Sequence, residues 1–287
     1  MKKLVLKYLP IPLALILALV GAFTLFSLTS NRYEYATVSY ASRVISVDMS
    51  VSNNGTVVKV IPADNKSNEA LVNFKLDGMH VSDAVVLLSG VAEENETVYV
   101  GAYIHEDREV DGSEMKTMLD SACSKIEVSC LGTYGVYNGF DFKRAVSYDQ
   151  TIGKITYASH YADTVTQEFS LYMDSYLIYA ADPYEMMLYA KYVGESIGKD
   201  AEELFSSDFS HVKNNVTHIS EDEAKALSFE FLETTLNWKP DSLSFAGFRF
   251  DEGDLGYAFN FRYNGENRVT FVDVVNGSVR EYFLDDY

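Results

Sequence analysis

Cysteine is nearly missing from this chain: Cys123 and Cys130 are the only two. Two thiols without clustered histidines cannot complete a tetrahedral zinc site, which removes structural zinc modules from consideration. Their spacing leaves two readings, a disulfide or a pair of buried free thiols. Histidine is also scarce. The five, at 80, 105, 160, 211 and 218, form no H-x-x-x-H pair, so zinc catalysis has no local support. Positive charge is short as well, with 23 Lys and Arg against 42 Asp and Glu. Three of the cations precede residue 8, leaving 20 against all 42 acids in the rest, a balance of −22. Such a field repels nucleic acid and anionic headgroups, and it also keeps a protein soluble beside a negative membrane.

Charge of either sign is absent from Tyr8 to Asn31. The core of that run, Leu9 to Leu28, is almost wholly apolar and matches the roughly 20 residues a helix needs to cross a bilayer. The sequence therefore predicts a single-pass membrane anchor over residues 9–28. Lys2, Lys3 and Lys7 precede it and only Arg32 follows closely, which puts the N-terminus in the cytoplasm and the C-terminus outside the cell membrane. Pro10 and Pro12 sit near the cytoplasmic end, where a missing backbone donor costs least. A cleaved signal peptide is the rival reading. Against it, the run exceeds the about 7–15 residues of a typical signal core, and no A-x-A site follows, only weak small-residue sites around Ser27 and Ser30.

The remainder is long enough for two or three folded units. In 32–135, Val44 to Val51 and Val57 to Ile61 flank Asn53-Asn54-Gly55, a strong hairpin signal. Asp64 to Asn68 reads as a turn. Val81 to Leu88 suits a helix capped by Ser82, with His80 a poorer cap. Thr97 to Ile104 reads as a strand, Asp111 and Glu114 as a capping box for a helix reaching about Cys123, and Ile126 to Leu131 as a short strand. These elements predict an open α+β sheet with helices on one face.

Residues 136–214 change texture, with Tyr157, Tyr161, Phe169, Tyr172, Tyr176, Tyr179, Tyr189 and Tyr192 at helical intervals. Asp182, Pro183 and Glu185 mark a helix start. A helical Tyr-rich subdomain is predicted, its rings packing a core rather than binding sugars or peptides. In 215–287, Ser220 and Glu223 form another capping box, and Ala224, Leu227, Phe231 and Leu232 give one apolar helix face. That helix ends near Trp238, before Lys239-Pro240. A strand from Leu243 to Phe250 turns at Glu252-Gly253-Asp254. Tyr257, Phe259, Phe261 and Tyr263 then alternate with Ala258, Asn260 and Arg262, and Asn264-Gly265 and Asn276-Gly277 supply two more turns. The prediction is a helix on an antiparallel meander of four strands.

Three strings in this last unit carry a family resemblance: Ile219-Ser220-Glu221-Asp222-Glu223-Ala224, Tyr257-Ala258-Phe259-Asn260-Phe261, and Asp273-Val274-Val275-Asn276-Gly277-Ser278-Val279. In order and spacing the unit resembles the PepSY domain family. That resemblance implies an extracytoplasmic, non-catalytic module that restrains peptidases or mediates contacts at the cell envelope.

The region from 33 to about 160 is similar to the exterior part of RsgI-type anti-sigma-I factors. The similarity rests on Tyr35-Ala36-Thr37-Val38-Ser39, the hairpin around Asn53-Asn54-Gly55, Leu76-Asp77-Gly78, and Thr151-Ile152-Gly153-Lys154 at a helix start. Two departures follow. Ala41-Ser42-Arg43 replaces the family's Asn-Pro-Ser, which removes the bond associated with self-cleavage. Only about seven residues precede the apolar run, far below a roughly 50-residue domain, so the expected part is the exterior half without a cytoplasmic anti-sigma domain.

Two strings imitate chemistry. Gly194-Glu195-Ser196-Ile197-Gly198 spells the nucleophile elbow of serine hydrolases, but a helix rather than a strand is predicted before it, and only His211 and His218 follow. Asp107, Glu109, Asp111 and Gly112 resemble half of a calcium loop whose twelfth position is Met118. No catalytic, cofactor-binding or metal-binding residue is therefore assigned. The expectation is an α+β membrane protein that binds an envelope protein or ligand without chemistry, through unpaired edges of the last sheet. Restraint of an envelope peptidase is the alternative, and serine hydrolysis through Ser196 the remote one.

Overall fold

The computed structural model of the chain describes residues 34–108, 112–169, 175–213, 218–240, 242–251 and 254–283. The apolar run 9–28, the caps and ligands assigned to Glu109 and Asp111, and the Glu252-Gly253 turn lie outside the described residues. Among the described residues no helix is long and apolar enough to cross a membrane.

Two sheets organise an α+β fold. The first has six strands in the order β3-β2-β1-β4-β5-β6: Val57–Pro62, Ser46–Val51, Ala36–Ala41, Thr97–His105, Ser129–Tyr137 and Ser207–Asp208. β4 and β5 pair in parallel and the other neighbours are antiparallel. The parallel pair requires a crossover. Helix α3 (Gly112–Cys123) supplies it. Alternation along β4 sends Val98, Val100, Ala102 and Ile104 to one face and Tyr99 and Tyr103 to the other. The first face is covered by α2 (Val81–Ser89) and α3, through Val81, Val85, Leu88, Met115 and Leu119.

The second face is covered by helices that follow β5, so the first sheet carries helices on both sides. These are α4 (Gly139–Ser147), α5 (Ile152–Phe169), α6 (Ser175–Ala180), α7 (Pro183–Ile197) and α8 (Ala201–Leu204). Tyr157, Tyr161, Tyr179 and Tyr189 pack as a core: Tyr161 stacks on Phe205 at 4.1 Å and on Tyr189 at 5.9 Å between ring centroids. After α8 the chain returns to the first sheet, pairing Ser207 with Thr133 in β6.

The second sheet is an antiparallel meander, β10-β9-β8-β7, built from Val279–Phe283, Glu266–Asp273, Asp254–Tyr263 and Ser244–Asp251. Helix α9 (Glu221–Thr235) starts in the expected capping box, with Ser220 and Glu223 bonded reciprocally. It lays Ala224 and Leu232 on Phe259, Phe261 and Val272. The opposite side of the meander meets α7, where Tyr189 lies edge-on to Phe250 at 5.1 Å. Phe248, Phe250, Leu255 and Val274 thereby join the core under the first sheet.

Several local expectations change. Asp64 to Asn68 is not a turn: Asp64 caps a short helix, α1 (Asn65–Ala70), its carboxylate accepting from the Ser67 amide. That helix lacks an apolar stripe, so periodicity could not show it. The cap of α2 is His80, whose ring accepts from the Ser82 amide, and not Ser82 itself. The strand placed at Ile126–Leu131 starts at Ser129 and runs on to Tyr137, because Gly132 and Gly135 interrupt an otherwise recognisable β pattern.

Candidate functional site

The start of α5 is held from below by the first sheet. Asp48 of β2 accepts from the Ile152 amide at 2.9 Å, and Ser39 of β1 accepts from the Gly153 amide at 2.9 Å while donating to Asp48. Burial pushes the Asp48 carboxyl up to about 6 against the opposing pull of those hydrogen bonds. Gly153 is required here, since a Cβ would lie 2.6 Å from the Ser39 oxygen. This clamp fixes where the next residue, Lys154, points.

Lys154 enters a polar cleft of about 380 Å³ at the seam between the two sheets. The walls are Ala41 to Arg43 after β1, Glu96 before β4, Ala180 to Glu185 at the α6–α7 join, and Asp254 of β8. Lys154 is half-buried there, and its partial desolvation lowers the amine to about 8, with Asp182 and Glu96 pulling the other way. Among the described residues no carboxylate lies within ion-pair distance of that amine.

The acids around it are already engaged. Glu96 accepts from the backbone amides of Arg43 and, at 2.9 Å, of Glu93. Asp182 caps α7 through the Tyr184 amide at 2.8 Å and pairs with Arg43 at 3.6 Å. Arg43 also reaches Glu93 at 3.3 Å, so an exposed guanidinium bridges the mouth of the cleft. Asp254 pairs with Arg280 at 3.0 Å. Glu185 accepts from the Leu255 amide, and its carboxyl is raised to about 8 by burial first and then by Asp182, Asp273 and Asp254. It is therefore mostly protonated near neutral pH and stitches α7 to β8 as a neutral group.

An ammonium left over amid satisfied acids can receive one carboxylate. The flanking carboxylates can at the same time accept N–H groups from the same molecule. A cleft of this volume at a junction between sheets is a favoured place for a small ligand. None of these residues was singled out for this role from the sequence, because they come from segments far apart in the chain. The one local sign was a lysine between Ile152, Gly153 and Ile155 in an otherwise apolar helix start.

The residues that tempted a chemical reading are placed elsewhere. Ser196 lies in the last turn of α7, its hydroxyl donating to the Tyr192 carbonyl at 2.7 Å, and Gly198 closes the helix with φ of 68°. The G-x-S-x-G string is thus a helix terminus, not a strand-to-helix elbow. His218 packs on Tyr184 at 4.5 Å, and the His211 carbonyl accepts from the Cys130 amide at 3.1 Å. Asp107 pairs with His105 at 3.1 Å. Cys123 and Cys130 are free and buried, with sulfurs 3.9 Å apart. Among the described residues no group of three or more His, Cys, Asp or Glu could hold a metal. The two unpaired edges of the second sheet are β7 and β10.

No protein-family model matches the chain, and no curated protein matches it with significant similarity.

Proposed function

We propose that this chain is a membrane-anchored, extracytoplasmic binding protein of the bacterial envelope, signalling-associated and acting without chemistry of its own. Its cleft between the sheets receives the ligand. The observation that carries this reading is the Lys154 amine, without an ion-pair partner among the described residues and of lowered basicity, set among acids that already have partners. The complementary molecule brings a carboxylate to the amine and N–H donors to Asp182 and Glu96, which is the chemistry of a peptide C-terminus. The resemblance of 33–160 to anti-sigma-I exteriors and of 215–287 to PepSY modules supports an envelope location. The test uses the full chain in membranes, with Lys154 acetylated in the presence of short peptides. Peptides with a free C-terminus should protect it and their amidated forms should not. If neither kind protects, the ligand reading falls.

A second reading, restraint of an envelope peptidase, is favoured by one feature. Ser244, Phe245 and Ala246 open the edge strand β7 in an exposed stretch, with no strand on their outer side among the described residues. A partner strand can add there. Full-length protein should then slow an envelope peptidase, and Phe245→Pro should relieve the inhibition. Unchanged turnover of every envelope peptidase tried would remove this reading.

A further inference from the structure

Exposed large apolar side chains gather in two places on the described surface, a smaller group of Val86, Leu87 and Val91 at the end of α2 and a larger and more exposed one about α4. Val136, Phe140, Phe142, Val146 and Tyr148 fall on the end of β5 and on α4 with its C-cap. Phe140 and Val146 keep 66% and 65% of their surface in water. Such a concentration marks a contact surface.

The helix itself is firmly built. Asn138 accepts from the Phe140 and Asp141 amides at 2.8 and 3.0 Å, and Asp141 returns a bond to the Asn138 amide. Arg144 reaches inward to Ser159 at 2.9 Å and to Ser175. Tyr148 turns back to stack on the buried Tyr179 at 5.3 Å and Phe140 lies beside the Arg144 guanidinium, which leaves Phe142 and Val146, one helical turn apart, as the apolar pair facing out.

Position identifies what covers them. β1 begins beside the C-terminal ends of β4 and β5, with Thr37 opposite Tyr103 and His105 opposite Tyr137. The Tyr35 carbonyl accepts from Arg108 at 3.2 Å, and Glu34, Tyr35, His105 and Tyr137 line one hollow. Helix α4 starts two residues beyond Tyr137. The chain thus enters the fold at the same end of the sheet from which α4 departs. From Leu28, the last residue of the apolar run, to Tyr35 the backbone can extend at most about 24 Å.

We infer that α4 rests on the outer face of the membrane, with Phe142 and Val146, one helical turn apart, entering the boundary between headgroups and acyl chains beside the anchor. This rests on the anchor reading of residues 9–28. The acidic balance of the chain repels anionic headgroups, so the contact is apolar insertion and needs no negative lipid.

The experiment uses the full chain in phosphatidylcholine vesicles, some carrying lipid brominated in the upper acyl chain. A Phe142→Trp, Trp238→Phe double variant reports on α4, and native Trp238 reports on the second sheet. Bromolipid should quench the α4 probe at least twofold more than it quenches Trp238, in low and high salt alike. Equal quenching, in protein that resists alkaline carbonate extraction, overturns the inference and leaves the anchor standing. Equal quenching with a lipid-independent blue shift of the α4 probe overturns it in favour of a protein partner or a second copy. Release by carbonate overturns the anchor and the membrane placement with it.

Discussion

The Gly153 amide donates to the Ser39 hydroxyl at 2.9 Å, joining the first turn of α5 to the centre of the first sheet across more than a hundred residues of sequence. Gly153→Ala would set a Cβ 2.6 Å from that oxygen and 3.0 Å from the Tyr103 ring. The variant should lose roughly 1–3 kcal/mol in urea unfolding.

Asp48, the other half of this clamp, gives a pH-dependent prediction. Its folded pKa is raised from 3.8 to about 6. The unfolded chain therefore releases the proton first, and this group makes stability fall as pH rises from about 4 to 6. Asp48→Asn keeps an acceptor for Ile152 and should flatten that slope. Asp48→Ala removes the acceptor and should cost about 1–3 kcal/mol at every pH. Melts of the three proteins between pH 4 and pH 7 check both outcomes.

Glu185 works the same way at higher pH. Its carboxyl is raised from 4.5 to about 8, so its burial lowers stability increasingly as pH climbs between those values, and fully above the upper one. Glu185→Gln should raise the melting temperature by several degrees at pH 9, each kcal/mol being worth roughly 2–4 °C in a protein of this size. The gain should shrink towards pH 5. A gain that does not vary with pH would contradict the assignment.

Lys154 should react out of turn. With its amine lowered to about 8, roughly one-tenth is uncharged at pH 7, far more than for an ordinary lysine. Limited acetylation followed by peptide mass mapping should find Lys154 modified before the other lysines of the folded chain. Ordinary reactivity at this position would show that the amine is not held as described.

Tyr161 separates packing from hydrogen bonding. Its ring is fully buried between Phe205 and Tyr189, and its hydroxyl has no hydrogen-bond partner among the described residues. Tyr161→Phe should be neutral or stabilising by about 1 kcal/mol, whereas Tyr161→Ala should cost about 3–5 kcal/mol by chemical denaturation.

Much of the architecture was legible because its signals are local. Asn53-Asn54-Gly55 between β-branched runs, Pro183 behind the Asp182 cap, and the Ser220–Glu223 box each report on neighbours a few residues away, and each stands where expected. The four-stranded meander followed from strict alternation between Tyr257 and Tyr263. Of the aromatics at helical spacing, Tyr157, Tyr161, Tyr179 and Tyr189 pack as a core with Tyr192 at its edge, as their periodicity implied, while Tyr172 and the side chains of Phe169 and Tyr176 lie outside the described residues.

What escaped the sequence depends on long-range pairing. Ser207 and Asp208 are too short a strand to carry a pattern, and Thr133 and Gly132 alone make them part of the sheet. The cleft was illegible for the same reason. Arg43, Glu96, Lys154, Asp182 and Glu185 acquire a common environment only after both sheets have packed around α7. Read singly, each is an ordinary charged residue near the end of an element.

Tyr189 wedged against Phe250 leaves the seam no hinge, since parting the sheets would expose aromatic rings that now bury one another. The adjustable part of the rim is then Arg43, the exposed side chain spanning from Glu93 to Asp182. On the proposed reading, a ligand that donates to Asp182 displaces this one arginine and leaves the packed rings behind it undisturbed.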